Sequence, residues 1–141
     1  MTKCTCGNKK VRLIYSCSGG ADVGALADKV ARKLAKTETG NMSCIASVGA
    51  EIPGFISSAR NADCNITIDG CNIRCAAKNL ENRGVKPLSF VISNFGFEKG
   101  QTDPSPESLE KVAEKLTEKI RKEHTQTKPN KSHSCGCGCS C

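Results

Sequence analysis

Residues 62–84 read ADCNITIDGCNIRCAAKNLENRG, and the rest of the chain is organised around them. The β-branched run from Cys64 to Ile68 predicts a buried strand, and Asp69-Gly70 a tight turn. A helix is then expected to open at Cys71 and close at Gly84, a residue suited to the left-handed position past a helix end. On that reading Cys71 and Cys75 lie four apart on the helix's first turn, their Cβ atoms about 5–6 Å apart. Free N–H groups and the positive end of the helix dipole would favour thiolate there, making the two the most acidic thiols of the chain. Two poised thiolates at the carboxyl end of a strand suit a soft metal or redox chemistry. The plainer reading is a pair of small buried hydrophobes.

The same alternation extends on both sides. Val11–Tyr15 predicts a first strand, and the small-residue loop Ser16–Gly20 leads into a helix from Asp22. Val23, Leu26, Ala27, Val30 and Leu34 mark its buried face, and Gly40 closes it. Ser43–Val48, holding Cys44, reads as a second strand, followed by a short helix near Phe55–Arg60. Leu88–Ser93 reads as a fourth strand. A last helix starts at Pro106, with Leu109, Val112, Ala113, Leu116 and Ile120 along one stripe. Strand and helix alternating with short connections imply an α/β fold: one three-layer domain, a mainly parallel sheet of four or five strands, helices on both faces. Ligands of such sheets sit beyond the carboxyl ends of the strands. The loops after strands one and three bring Cys17 towards Cys71 and Cys75, whereas a Cys44 inside a strand reaches them only if that strand is short.

The expected organisation is an arm over residues 1–10, a folded body over 11–122, and a polar tether with a cysteine tail over 123–141. The eleven cysteines follow it. Cys17, Cys44, Cys64, Cys71 and Cys75 belong to the body. Cys4, Cys6, Cys135, Cys137, Cys139 and Cys141 belong to the ends. An odd number of cysteines with no apolar N-terminal run points away from a disulfide framework and towards metal or thiol chemistry in a cytoplasmic protein. No apolar stretch is long enough to span a membrane. The net charge of +7 is carried wholly by residues 1–12 and 121–141. A folded body without net charge and poor in aromatics argues against a nucleic-acid partner.

Other constellations are weaker. Ser18–Gly24 follows a strand and opens a helix, yet it matches neither the phosphate-loop lysine pattern nor the dinucleotide fingerprint. Asp22 and Asp69 are candidate acid–base groups, with turn or cap roles the stronger reading. His124 and His133 are remote from the body's cysteines. The alternating Cys-x-Cys tracts at both ends are of metal-binding type, and the C-terminal one reads as a tethered metal donor for the body's site.

Three segments in order, Cys17-Ser-Gly-Gly-Ala-Asp-Val-Gly, Cys44-Ile-Ala-Ser-Val-Gly and Ile68-Asp-Gly-Cys71-Asn-Ile-Arg-Cys75-Ala, resemble the DGC domain family, from about Val11 to about Gly96. These are small prokaryotic proteins named for the central Asp-Gly-Cys and described as zinc-binding. The resemblance implies that Cys17, Cys44, Cys71 and Cys75 are the metal ligands, with Cys64 outside the set, and that zinc is the metal. It implies no reaction. Four thiolates would hold zinc tetrahedrally at about 2.3 Å. Two alternatives use the same residues: thiol-dependent redox or sulfur transfer through Cys71 and Cys75, and an iron–sulfur cluster. The expected partner is a metal ion or a small thiophilic ligand.

Overall fold

Alternating burial along the strands decides the layering. In β1 (Arg12–Ser16) the neighbours Ile14 and Tyr15 are both fully buried but point to opposite faces. Ile14 joins one hydrophobic cluster and Tyr15 another. In β3 (Cys64–Asp69) every residue after Cys64 is buried, as a strand covered on both faces requires. The computed structural model describes residues 10–124, except for the side chain of His124.

After β1 come α1 (Asp22–Lys36), β2 (Asn41–Met42), α2 (Ile45–Gly49) and α3 (Pro53–Asn61). They are followed by β3, α4 (Cys75–Glu81), β4 (Leu88–Val91), a 3-10 turn (Ile92–Phe95) and α5 (Pro106–His124). All strand pairs are parallel, in the order β2-β1-β3-β4. The β1–β3 pair is in register from Arg12 opposite Cys64 to Ser16 opposite Ile68. Helices α1 and α5 pack together over one face, their apolar stripes (Val23, Leu26, Val30, Leu34; Val112, Leu116, Ile120) meeting Ile14, Ile66 and Ile68. The other face is covered by α2, α3 and α4 with a smaller cluster of Tyr15, Val48, Ala59, Leu80 and Val85. The expected α/β sandwich is therefore present, with four strands among the described residues.

Two expected elements are different. The second strand is only Asn41–Met42, and Ser43–Val48 does not continue it. Ile45–Gly49 is helical instead, with Cys44 as its N-cap. β2 is an edge strand beside β1 alone, so little sheet pairing holds the apolar run extended. Nor does the helix after β3 open at Cys71. Cys71–Arg74 forms a turn closed by the Arg74 N–H on the Cys71 carbonyl at 3.1 Å, and α4 begins at Cys75. Arg74, its N-cap, has φ 57°, ψ 49°. Left-handed backbone at a residue with a Cβ cannot continue a helix, so the reversal delays the start by a turn. The fourth strand ends at Val91, where the 3-10 turn takes over.

Candidate thiolate edge

The carboxyl edge is built on close backbone packing. A Cβ on Gly70 would stand 2.7 Å from the Gly24 nitrogen and 2.7 Å from the Val23 carbonyl carbon. A Cβ on Gly24 would stand 2.7 Å from the Gly19 carbonyl oxygen. No side chain fits at either position. The loop after β1, the first turn of α1 and the turn after β3 are thereby pressed together. The Cys17 N–H donates to the Ile68 carbonyl at 3.1 Å, and the Ser93 N–H to the Gly70 carbonyl at 3.2 Å.

Within this frame the Gly70 N–H donates to Cys17 Sγ at 3.3 Å. Burial pushes the Cys17 thiol up, the amides of Gly19 and Gly70 pull it down, and the charges of Asp69 and Cys75 push it further up. Cys17 and Cys71 are half-buried and pack against the α1/α5 cluster. Cys44 and Cys75 are exposed at the starts of α2 and α4, which touch on the opposite face. The Asp-Gly-Cys turn thus lies where the sequence places it, but its two cysteines do not share a helical turn.

Cys44 has surroundings that favour thiolate. No cap hydrogen bond closes on its sulfur. The Ser47 hydroxyl and then the Ser47 amide nevertheless lie near enough to favour thiolate, holding Cys44 below its ordinary value. Sequence reasoning passed over Ser47, although Cys44-Ile-Ala-Ser47 has the N-cap-to-N3 spacing of a helix start. Cys64 lies at the other end of β3, its thiol pushed up by burial.

Both candidate acid–base groups are engaged structurally. Asp69, 1% exposed, accepts the Ala76 N–H at 2.8 Å and the Ala77 N–H at 3.1 Å, tying down the start of α4 from seven residues away. Burial raises its carboxyl more than these two donors lower it. Asp22 accepts the Gly100 N–H at 2.9 Å and the Thr102 N–H at 2.7 Å, fastening the loop after β4; these bonds hold its carboxyl below the ordinary value. Arg74, also unremarked in the sequence, pairs with Glu81 at 2.8 Å and crosses the α4–β4 connection.

Four thiols suit a soft divalent ion in donor type, and the topology carries all four to one edge. They are not assembled: among the described residues no three Cys, His, Asp or Glu side chains stand close enough to hold an ion. The cysteine tracts and His133 lie outside the described residues, as does the side chain of His124.

A parallel three-layer sandwich whose strand-to-helix loops carry Cys17, Cys44 and Asp69-Gly70-Cys71 at one edge defines the class. The chain belongs to the DGC domain family, which matches residues 13–116. Among curated relatives it resembles the anaerobic and virulence modulator AnvM of Pseudomonas aeruginosa. The two are 35% identical over 88 residues, covering 62% of this chain and 67% of AnvM. No solved structure matches the chain. No helix among the described residues is long and apolar enough to cross a membrane.

Proposed function

We propose that this protein binds a thiophilic divalent ion, zinc first, through Cys17, Cys44, Cys71 and Cys75, which close on the metal as it enters. The observation that carries this reading is the Gly70 N–H donating to Cys17 Sγ at 3.3 Å inside a glycine-packed frame. A backbone donor aimed at sulfur favours thiolate and fixes its lone pairs, as the outer shell of a metal thiolate does. When bound, the metal would supply a cross-link between three loops. Cys17 would be the fixed ligand, whereas Cys71 sits on a turn and Cys44 and Cys75 at the exposed starts of two short helices.

The test is metal analysis of the chain carrying Ser at all six terminal cysteines, purified under reducing, oxygen-free conditions. About one equivalent of zinc is expected, lost when Cys17→Ser is added. A folded protein that holds no zinc, or holds it equally without Cys17, refutes the reading.

A second reading, thiol–disulfide exchange, draws support from the exposed Cys44 thiol, held below its ordinary value. Its thiolate would attack a low-molecular-weight disulfide, forming a mixed disulfide and releasing the other half as thiolate. Cys75, at the start of the adjoining helix α4, would be the thiol that resolves it. An iron–sulfur cluster would use the same four ligands and would show itself by colour.

A further inference from the structure

We propose that the cleft beside Cys71 is a binding site for small disulfides that carry carboxylates, and that Cys71 is the thiol that exchanges with them. The cleft has a volume of about 710 Å3, within the range of about 300–1,000 Å3 usual for small-molecule sites. Cys71 and Ile73 line one side, Lys78 stands on α4, and Ser93, Phe97 and Lys99 line the side that follows β4. Neither the groove between α1 and α5 nor the hollow beside α3 contains a cysteine.

Hydrogen bonds hold both walls before any ligand arrives. The turn bearing Cys71 is closed by the Arg74 N–H on the Cys71 carbonyl at 3.1 Å, and the Lys78 N–H donates to the Arg74 carbonyl at 2.9 Å. Opposite, the Ser93 N–H reaches the Gly70 carbonyl at 3.2 Å, which ties the second wall to the residue before Cys71. Thr102 Oγ1 donates to the Glu98 carbonyl at 2.7 Å, and Asp22 accepts the Gly100 and Thr102 amides. The segment carrying Lys99 is thereby fastened to the start of α1. Walls set in advance lower the ordering cost of binding.

The lining indicates the class of ligand. Ser93 Oγ is buried without a hydrogen-bond partner, and a bound acceptor would satisfy it. Among the described residues Lys78 and Lys99 make no ion pair, and Glu98 is the one acidic residue of the lining, so the cleft favours an anion. A carboxylate can accept from two ammonium groups and a hydroxyl, and such bonds are charge-assisted. Ile73, 55% exposed, is the most exposed large apolar side chain among the described residues. With Phe97 it suits the methylenes of a short aliphatic linker, which leaves the sulfur end for Cys71. Cys71 is half-buried, unlike the exposed Cys44 and Cys75, so what occupies the cleft governs its access.

The step is a thiol–disulfide exchange. The Cys71 thiolate attacks one sulfur of the ligand and a Cys71–ligand disulfide forms. The ligand's own S–S bond breaks, and its other half leaves as a thiolate with the electron pair. Cys71 is oxidised and the departing half reduced, with no further oxidant. The exchange at Cys44 described above has no cleft to choose its disulfide; here the cleft chooses. No metal takes part, so this proposal and the zinc reading stand or fall separately.

The test uses the full chain, reduced and stripped of metal, with three reagents that differ in their end groups: dithiodipropionate, bis(hydroxyethyl) disulfide and cystamine. Mass spectrometry of the Cys71 peptide gives each rate, and the same reagents on a free small thiol correct for intrinsic reactivity. The carboxylate reagent should be preferred over the ammonium one at Cys71. Lys78→Gln with Lys99→Gln should cut that preference about three- to tenfold. Lys36→Gln with Lys111→Gln, two exposed lysines outside the cleft, removes the same charge and should leave it unchanged. Ser93→Ala should slow the carboxylate reagent and not the neutral one. The proposal is overturned by the absence of any Cys71 adduct, by the absence of a preference, by equal losses in the two double variants, or by a Ser93→Ala rate that does not move. Metal analysis decides the zinc reading whichever of these results is found.

Discussion

The two faces of the sheet are built to different specifications. Over one, two long helices, α1 and α5, bury a continuous set of Val, Leu and Ile side chains. Over the other, α2 has five residues, α4 seven and α3 nine, and the cluster beneath them is small. The cysteines divide along the same line, with Cys17 and Cys71 against the thick layer and Cys44 and Cys75 exposed on the thin one. Short helices make few contacts each and shift at low cost. In the proposed site the thin layer would thus carry the two cysteines freer to move, and the thick layer the two that are held.

The sharpest way to break this comparison is Gly70→Ala. The new Cβ meets backbone of α1 at 2.7 Å, and no flexible side chain is there to yield. A loss of about 3 kcal/mol or more, or failure to fold, is expected in denaturant unfolding. Gly84→Ala, at φ +75° with nothing within 4 Å of the new Cβ, should cost only about 1 kcal/mol. Equal costs would show that the glycine packing does not constrain the edge.

Next in size are two leucines, one from each layer, both fully buried. Leu116→Ala on α5 should cost about 2–5 kcal/mol, and Leu80→Ala on α4 should fall at the low end of that range, because short helices collapse into a cavity more readily. Chemical denaturation of both variants decides it. A Leu80→Ala cost above that of Leu116→Ala would reverse the assignment of rigid and adjustable layers.

The smallest effect concerns thiol reactivity across pH. Cys44 sits below its ordinary value, whereas burial raises Cys17 and Cys64. Since only thiolate alkylates, the rate at Cys44 should rise at lower pH than at the other two, and near neutrality Cys44 should be labelled before either. Ser47→Ala should move the Cys44 profile to higher pH and slow it several-fold at pH 7. Mass spectrometry after timed alkylation reads both, and an unmoved profile would remove Ser47 from the account.

The strand and helix alternation, the parallel sheet and the helices on both its faces were legible because they follow from local periodicity and short connections. What escaped was set by partners distant in sequence. Val48 is apolar enough for a strand, yet it packs beside Leu80 as a helical residue. Cys71-Asn-Ile-Arg reads as the start of a helix until Arg74 turns left-handed, with its side chain spanning Glu81 and Ser89. For Asp22 and Asp69 a turn or cap role was the stronger reading of the sequence, but the partners, the amides of Gly100, Thr102, Ala76 and Ala77, are supplied by the fold.

The bond from Gly70 to Cys17 joins residues 53 apart, which has a consequence during synthesis. While the chain is still being made, α1 can form from its own neighbours as soon as it emerges. Cys17 has the nearby Gly19 amide from the start, but it cannot gain the Gly70 donor until β3 has left the ribosome and closed on β1 through the Ser16–Ile68 pair. For that interval the nascent chain carries Cys17 with only part of its final covering. That covering arrives with the Asp-Gly-Cys turn itself, so the segment that brings Cys71 to the edge is also the one that completes the surroundings of its first cysteine.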